Sequence, residues 1–188
     1  QVEDNLSISN NNIVNDIIEY IINNHSTTLA ENLSKENKKI VENLVKERLI
    51  NKYSNSNIDT AKIIKLVLDR FFGYYILQKY IDDVFVTDIR VIDYKTIFVK
   101  KKGSWNQVDE KFQDGKEYLN FVRNCVLKNG GKINNEKPVV VVSDKENNLR
   151  IEAGIEPVNV VSPNLVIRIH RADINQRLED LLFNDAFV

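Results

Sequence analysis

Two arginines in the last quarter of the chain have a type and spacing that could bind an anion. Arg150 lies in the stretch Leu149-Arg-Ile-Glu-Ala-Gly-Ile155, and Arg168 lies in Leu165-Val-Ile-Arg-Ile-His170. Both stretches alternate apolar and polar residues, which predicts two strands that each carry an arginine on the polar face. A guanidinium group donates two parallel hydrogen bonds to a phosphate or a carboxylate. The pattern therefore indicates a sheet face with anion-binding chemistry.

The relation between these two strands leaves two interpretations open. If they pair antiparallel across the 156–163 connection, one register places Arg150 nearly opposite Arg168. Like charges at opposed positions are unfavourable unless an anionic group lies between them. Glu152 can supply that group, which would make an ion-paired surface, and a bound phosphate can supply it equally well. Periodicity alone favours the ion-paired surface.

Residues for other kinds of chemistry do not form a recognisable site. The segment Asn129-Gly-Gly-Lys132 lacks the spacing and the Ser/Thr of a phosphate-binding loop, and it is typical of the end of a helix. His25, His170 and Cys125 are not at the spacing of metal ligands. Cys125 is at helical spacing from apolar neighbours, so we expect a buried core residue. We therefore predict neither catalytic residues nor a metal site.

Length and charge narrow the class of protein. The chain has 188 residues, enough for one domain with a smaller helical one, and carries 26 basic and 27 acidic side chains. Nucleic-acid binders usually have a basic excess, so we expect no nucleic-acid partner. The basic hairpin Lys100-Lys-Lys-Gly-Ser-Trp105 is a candidate patch for acidic lipid or nucleic acid, but protection of a sheet edge is the favoured interpretation.

A single cysteine and the lack of a long apolar run favour a location in the cytoplasm. The chain starts with Gln and has no Met, so we expect a longer parent protein.

Apolar periodicity predicts helices in the first part of the chain. Ile13, Ile17 and Ile21 begin one stripe, and a second stripe runs through residues 40–49. Ser34 is a good N-cap for the second helix. A third helix is predicted to start near Asn57 or Asp59 and to end at Gly73. These stripes favour a local helical subdomain, although they would also allow docking of another protein.

The period changes after residue 83. A hairpin is predicted with strands at 96–99 and 105–108, then a helix at 114–128, a short buried strand at 138–142 and a turn at 144–148. The two arginine-bearing strands follow, and Asn175 is predicted to cap a last helix at 176–183. The order is helices, then β-β-α-β-β-β, then a helix. It predicts an α+β fold with a mostly antiparallel sheet and a helical extension in front.

Seven short segments also occur in an order typical of one known family. They are Phe72-Gly-Tyr-Tyr-Ile-Leu-Gln-Lys-Tyr-Ile-Asp-Asp83, Val86-Thr-Asp-Ile-Arg-Val91, Thr96-Ile-Phe-Val99, Gly131-Lys-Ile-Asn-Asn-Glu-Lys-Pro138, Leu149-Arg-Ile-Glu-Ala153, Ser162-Pro-Asn-Leu-Val-Ile-Arg168 and Gln176-Arg-Leu-Glu-Asp-Leu-Leu182. From about residue 66 onward, the chain resembles the N-terminal region of type II/IV secretion ATPases. The resemblance is strongest to the CpaF-like branch of Tad/Flp pilus assembly.

The resemblance implies a domain organisation and a role. Residues 1–81 would be a helical extension, 82–174 a PAS-like α+β domain, and 175–188 the start of a linker helix toward a RecA-type motor domain outside this chain. In the family the motor forms a hexamer at the inner face of the cell membrane, with secretion or pilus platform proteins as partners. ATP, with Mg²⁺ held through the motor, lies between the two domains. Arg150 and Arg168 match the arginines that reach its phosphates, and this fragment alone would not hydrolyse ATP.

The chain departs from the family pattern at three turns or strands. Ile92-Asp-Tyr94 replaces an Asn-Gly turn, Val139-Val-Val-Val142 lacks an internal acidic residue, and Lys145-Glu-Asn-Asn148 replaces an Asp-Gly turn. These changes indicate a divergent member. Two alternatives remain: a stand-alone PAS-like ligand-binding or sensory module, and a module that docks partner proteins.

Overall fold

Three helices lead the chain in the computed structural model, which describes residues 2–31, 36–54, 58–159 and 161–171. They are α1 (Val2–Glu31), α2 (Glu36–Tyr53) and α3 (Thr60–Phe72). The side chain of Asp59 accepts a hydrogen bond from the Lys62 backbone N–H, and Gly73 ends α3, so both predicted boundaries are confirmed. Ser34 and Asn57, considered as helix starts, lie outside the described residues.

The isoleucine stripes of the helices pack against one another. One buried cluster joins all three helices and also includes Leu127 from a later helix. It contains Ile13, Val14, Ile17, Ile18, Ile21, Ile22, Val41, Val45, Leu49, Ile63, Val67 and Phe71. Full burial of such a side chain stabilises a fold by about 1.5–3 kcal/mol. The stripes therefore form a local helical region, as predicted.

A six-stranded sheet follows the helices. A short 3₁₀ turn (Tyr75–Leu77) and α4 (Gln78–Asp82) lead into β1 (Val86–Asp93), β2 (Thr96–Lys101) and β3 (Ser104–Val108). Helix α5 (Gly115–Lys128) comes next, then β4 (Val139–Asp144), β5 (Leu149–Gly154) and β6 (Asn164–Ile169). The strand order is β3-β2-β1-β6-β5-β4, and every neighbouring pair is antiparallel. This confirms the predicted α+β class with an antiparallel sheet behind a helical region.

Two details of the strand prediction were wrong. The order of elements predicted from alternation alone did not include β1, whereas the family resemblance predicted a strand at 86–91. In the structure, β1 is a central strand between β2 and β6. The valine run of β4 was predicted to be buried, but β4 is an edge strand. Val140 and Val142 are buried, while Val139 and Val141 are half exposed. The reason is that α5 packs against one face of the sheet, so only alternate side chains of β4 reach the core.

Helix α5 fills the inner face of the sheet. Asp114 caps its start by accepting from the Glu117 N–H, and the Gly131 N–H closes its end on the Val126 carbonyl. Cys125 is fully buried, as predicted, and burial raises the pKa of its thiol to about 11. A thiol with so high a pKa is almost entirely protonated at neutral pH and therefore a poor nucleophile.

The sheet and the helical region meet around residues 70–83. Tyr74, Leu77 and Ile81 belong to the core of the sheet, although they precede the predicted boundary at residue 82. Arg171, the last described residue, donates from Nη2 to the carbonyls of Ile81 (2.6 Å) and Asp83 (2.8 Å). The predicted domain limits remain predictions, and the helix at 176–183 with its cap lies outside the described residues. No helix in the described part of the chain has the length and apolar character to cross a bilayer.

Candidate anion-binding face

The sheet face turned away from α5, here named the outer face, carries two rows of side chains that run across the strands. Residues directly opposite in antiparallel strands project to the same face. From β3 to β4, the first row is Trp105, Lys100, Asp88, Arg168, Arg150 and Ser143. We name it the arginine row. The second row is Gln107, Phe98, Arg90, Val166, Glu152 and Val141.

Arg150 and Arg168 are direct partners in the β5–β6 register. The prediction that one register would oppose them is therefore confirmed, and both side chains project from the outer face. They remain well exposed, at 53% for Arg150 and 65% for Arg168. Two guanidinium groups thus stand side by side on an open surface.

A carboxylate of β1 holds Arg168. Arg168 Nε donates to Asp88 Oδ1 at 3.1 Å, and the hydroxyl of Thr87 donates to Asp88 Oδ2 at 2.9 Å. The Asp88 side chain is only 12% exposed, so its charge lies within the sheet surface while the tip of Arg168 lies in solvent. Only Nε of this guanidinium is bonded within the described residues. The terminal nitrogens, which form the fork for bidentate binding, have no hydrogen-bond partner in this part of the chain.

Arg150 has a weaker partner on its own strand. Its Nε donates to Glu152 Oε1 at 3.3 Å, and the two side chains are 53% and 52% exposed. The prediction that Glu152 would supply a neutralising carboxylate is thus confirmed for Arg150, but not for Arg168. An exposed pair of this kind contributes about 0–1 kcal/mol. The bond to Glu152 therefore restricts the orientation of the Arg150 side chain only slightly.

The outer face has a surplus of positive charge. The two rows together carry four cations (Lys100, Arg90, Arg168 and Arg150) and two carboxylates (Asp88 and Glu152), a difference of two charges. Within the described part of the chain, one cation–carboxylate bond joins Arg168 to a neighbour and one joins Arg150. A doubly charged anion such as a phosphate group matches this surplus.

Sequence reasoning missed Asp88 as a member of the site. The strand containing Thr87 and Asp88 was visible only through the family resemblance, and alternation did not show that β1 would pair with β6. The useful signal would have been an acidic residue between two apolar ones in a central strand. Such a carboxylate needs a cation from a neighbouring strand.

Polar contacts elsewhere in the molecule serve the packing of its parts. The Tyr74 hydroxyl donates to Asp144 Oδ2 at 2.6 Å, and burial raises the pKa of that phenol far above its usual value. Burial opposes ionisation of Asp144, yet hydrogen bonds from Tyr74 and Asn147 lower the pKa of Asp144 on balance. Lys128 Nζ donates to the carbonyl of Gly73 at 2.5 Å, and burial lowers the pKa of this amine. These bonds join the end of α3 to α5 and to the β4–β5 turn.

A separate open cleft of about 460 Å³ lies beside the first half of α5. Tyr94, Leu119, Arg123, Ile155 and Glu156 are among the residues that line it, and it shares none with the two rows of the outer face. Among the described residues, no group of three or more His, Cys, Asp or Glu side chains could hold a metal ion. The arginine row is therefore the surface on which predicted site residues meet.

Comparison with known proteins gives similarity to solved structures, one of which is described here. No family model matches the sequence, and no curated protein matches it. Half of the chain (50%) superimposes on the crystal structure of the VirB11 ATPase from the Brucella suis type IV secretion system in complex with sulphate, with a TM-score of 0.45 and 17% identity. The chain covers 29% of that protein. A similarity of this extent does not assign the chain to a family.

Proposed function

We propose that this chain is the N-terminal region of an ATPase that powers secretion or type IV-like pilus assembly, in the CpaF-like branch. In this proposal, the outer face closes over ATP held by a motor domain elsewhere in the parent protein. The observation that carries the proposal is the direct opposition of Arg150 and Arg168 on an open sheet face. The order of the seven family-like segments supports it from the sequence.

The physical argument starts from the repulsion between the two arginines. Cβ atoms of directly opposed residues are separated by roughly 4.5–5.5 Å, so two guanidinium groups at this position repel each other. Among the residues that the structure describes, each has one carboxylate on Nε, and the terminal nitrogens of both groups have no partner there. A phosphate oxygen between them turns repulsion into two charge-assisted contacts. This arrangement supports the proposal that the face forms one wall of a phosphate site.

The remaining parts of the proposal follow from the family. The motor domain would supply the phosphate-binding loop, the Mg²⁺ ligand and the residue that positions water, because this chain provides none of these motifs in sequence. Closure of the outer face over ATP would then couple nucleotide state to domain movement in a hexamer. Its partners would be the platform proteins at the inner face of the membrane, with the protein peripheral on the cytoplasmic side.

The test compares three arginine variants of the full-length parent protein. Arg150→Ala and Arg168→Ala remove the proposed phosphate contacts, while Arg90→Ala removes an arginine from the other row of the same face. Loss of a hydrogen bond to a charged group costs about 1.5–3 kcal/mol, so each of the first two variants should lose roughly 10-fold or more in kcat/KM for ATP. Arg90→Ala should keep near-normal turnover.

Circular dichroism and denaturation midpoints of the three variants provide the folding control. The proposal fails if Arg150→Ala and Arg168→Ala both retain normal ATPase activity. It also fails if Arg90→Ala loses as much activity as they do, since a general loss of positive charge would then explain the effect.

A further inference from the structure

The free edge of β4 differs from the other free edge of the sheet. Among the described residues, β4 pairs with β5 on one side only, and its first four residues are all valine. No charged residue occurs from Pro138 to Ser143. Edge strands are usually protected by charged or inward-turned residues, because an open edge is a template for another strand. The opposite edge, β3, has only polar or aromatic residues up to Gln107 and borders the lysines of the β2–β3 hairpin.

The backbone of β4 determines which groups face the open edge. The Ile155 N–H donates to the Pro138 carbonyl at 2.9 Å, so residues 138, 140, 142 and 144 direct their backbone groups toward β5. Val139, Val141 and Ser143 therefore direct their N–H and C=O groups outward. None of these outward groups has a protein partner within the described residues. Pro138 does not protect the edge, because its missing N–H would have faced β5.

We propose that two copies of this chain pair through their β4 strands, antiparallel about a two-fold axis. An extended backbone offers alternating donors and acceptors that match the outward groups of β4. A second β4 supplies them with no charge opposite the valines. With the register centred on Val141, Val139 lies opposite Ser143 of the other copy. Three hydrogen-bonded residue pairs then form, with two bonds each.

The two-fold axis runs perpendicular to the sheet, so inner and outer faces keep their sides. Two six-stranded sheets thus become one sheet of twelve strands, with both arginine rows on the same face. One strand pair buries less than the roughly 1,000 Å² expected of a stable interface, so the dimer is weak and depends on concentration. A two-fold contact does not join neighbours in a ring with six-fold symmetry, where contacts are head-to-tail; in such a hexameric parent it would link two rings. The inference therefore stands apart from the proposed phosphate contacts.

The first experiment measures association of the chain by sedimentation equilibrium up to millimolar concentration. Val141→Lys places a charge on the edge, and Val141→Pro removes an outward N–H without removing a bond to β5. Val158→Lys makes the same exchange at an exposed valine in the β5–β6 connection and is the matched control. We expect dimers for the wild type and Val158→Lys, and at least a tenfold weaker association for both Val141 variants.

The second experiment tests the register itself. Opposed residues in a hydrogen-bonded pair have Cα atoms about 5.5 Å apart, a separation that allows a disulfide. Mild oxidation should cross-link Val141→Cys between two copies, whereas Val158→Cys should remain monomeric on a non-reducing gel. Buried Cys125 should not compete. A wild-type chain that stays monomeric at all concentrations overturns the proposal, and so does a dimer that neither Val141→Lys nor Val141→Pro weakens.

Discussion

Replacing Asp88 by asparagine removes the negative charge beneath Arg168 while keeping the shape of the side chain. Asp88 is 12% exposed and accepts from both Arg168 Nε and the Thr87 hydroxyl. The variant should therefore lose stability and, at the same time, increase the positive charge of the outer face from a surplus of two to three. The matched control is Glu152→Gln, which makes the same change at the carboxylate that contacts Arg150.

The burial of the two carboxylates determines the expected magnitudes. A hydrogen bond to a charged group contributes about 1.5–3 kcal/mol, but the exposure of the Arg168 tip reduces this value through solvent screening. We expect Asp88→Asn to lower the free energy of unfolding by about 1–2 kcal/mol. Glu152 is 52% exposed, so Glu152→Gln should change that free energy by less than about 0.5 kcal/mol.

The assay is urea denaturation at neutral pH, combined with a double-mutant cycle between Asp88→Asn and Arg168→Gln. The cycle should give a coupling of about 1 kcal/mol, since the two side chains contact each other directly. Binding of inorganic tripolyphosphate, followed by calorimetry, should become tighter in Asp88→Asn. A larger stability loss in Glu152→Gln than in Asp88→Asn, or a coupling of zero, would refute the assignment of Asp88 as the group that holds Arg168.

Two further predictions concern the core. Tyr74→Phe removes the donor to Asp144 and should cost about 1–2 kcal/mol at neutral pH. This contact helps hold the folded pKa of Asp144 below its unfolded value, so its stabilisation is present above the unfolded pKa and is lost as pH falls through the folded pKa. In urea titrations down to acid pH, the free energies of unfolding of the wild type and Tyr74→Phe should therefore converge. A constant difference between them would contradict this prediction. Gly131→Ala would place a Cβ 2.6 Å from Val142 Cγ1 and should lower the free energy of unfolding by about 1–3 kcal/mol. At Gly115 an added Cβ would meet no atom within 4 Å, so Gly115→Ala should be neutral or slightly stabilising. Thermal melts of the two variants compare these effects. Equal effects of the two alanines would refute the packing argument.

Local sequence signals predicted those parts of the fold that depend on local interactions. Asp59 and Gly73 bound α3 because a capping carboxylate and a glycine act on neighbouring backbone groups. The opposition of Arg150 and Arg168 followed from alternation in two strands joined by a short connection. In each case the residues that interact are close in sequence or belong to consecutive strands, so the local sequence pattern is enough to predict the contact.

Non-local neighbours could not be predicted in the same way. Asp88 meets Arg168 only because β1 pairs with β6, across a separation of 80 residues. A run of four valines is equally compatible with a central strand and an edge strand, and only the strand order places β4 at the edge. Alternation describes the two faces of a strand but does not specify its neighbours. The missing member of the site and the unforeseen edge position of β4 have this common cause.

The position of Arg150 is not explained by the stability of the fold. Its exposed bond to Glu152 contributes about 0–1 kcal/mol, and direct opposition to Arg168 costs a similar amount, since like charges across a strand pair are destabilising. An uncharged residue at position 150 would therefore serve the sheet as well. Arg168 differs, because the charge of Asp88 is largely buried and needs a cation as its partner. In the proposed function, a bound anion is the partner that would make the second guanidinium favourable, and the affinity for phosphate should therefore depend on Arg150 more strongly than stability does.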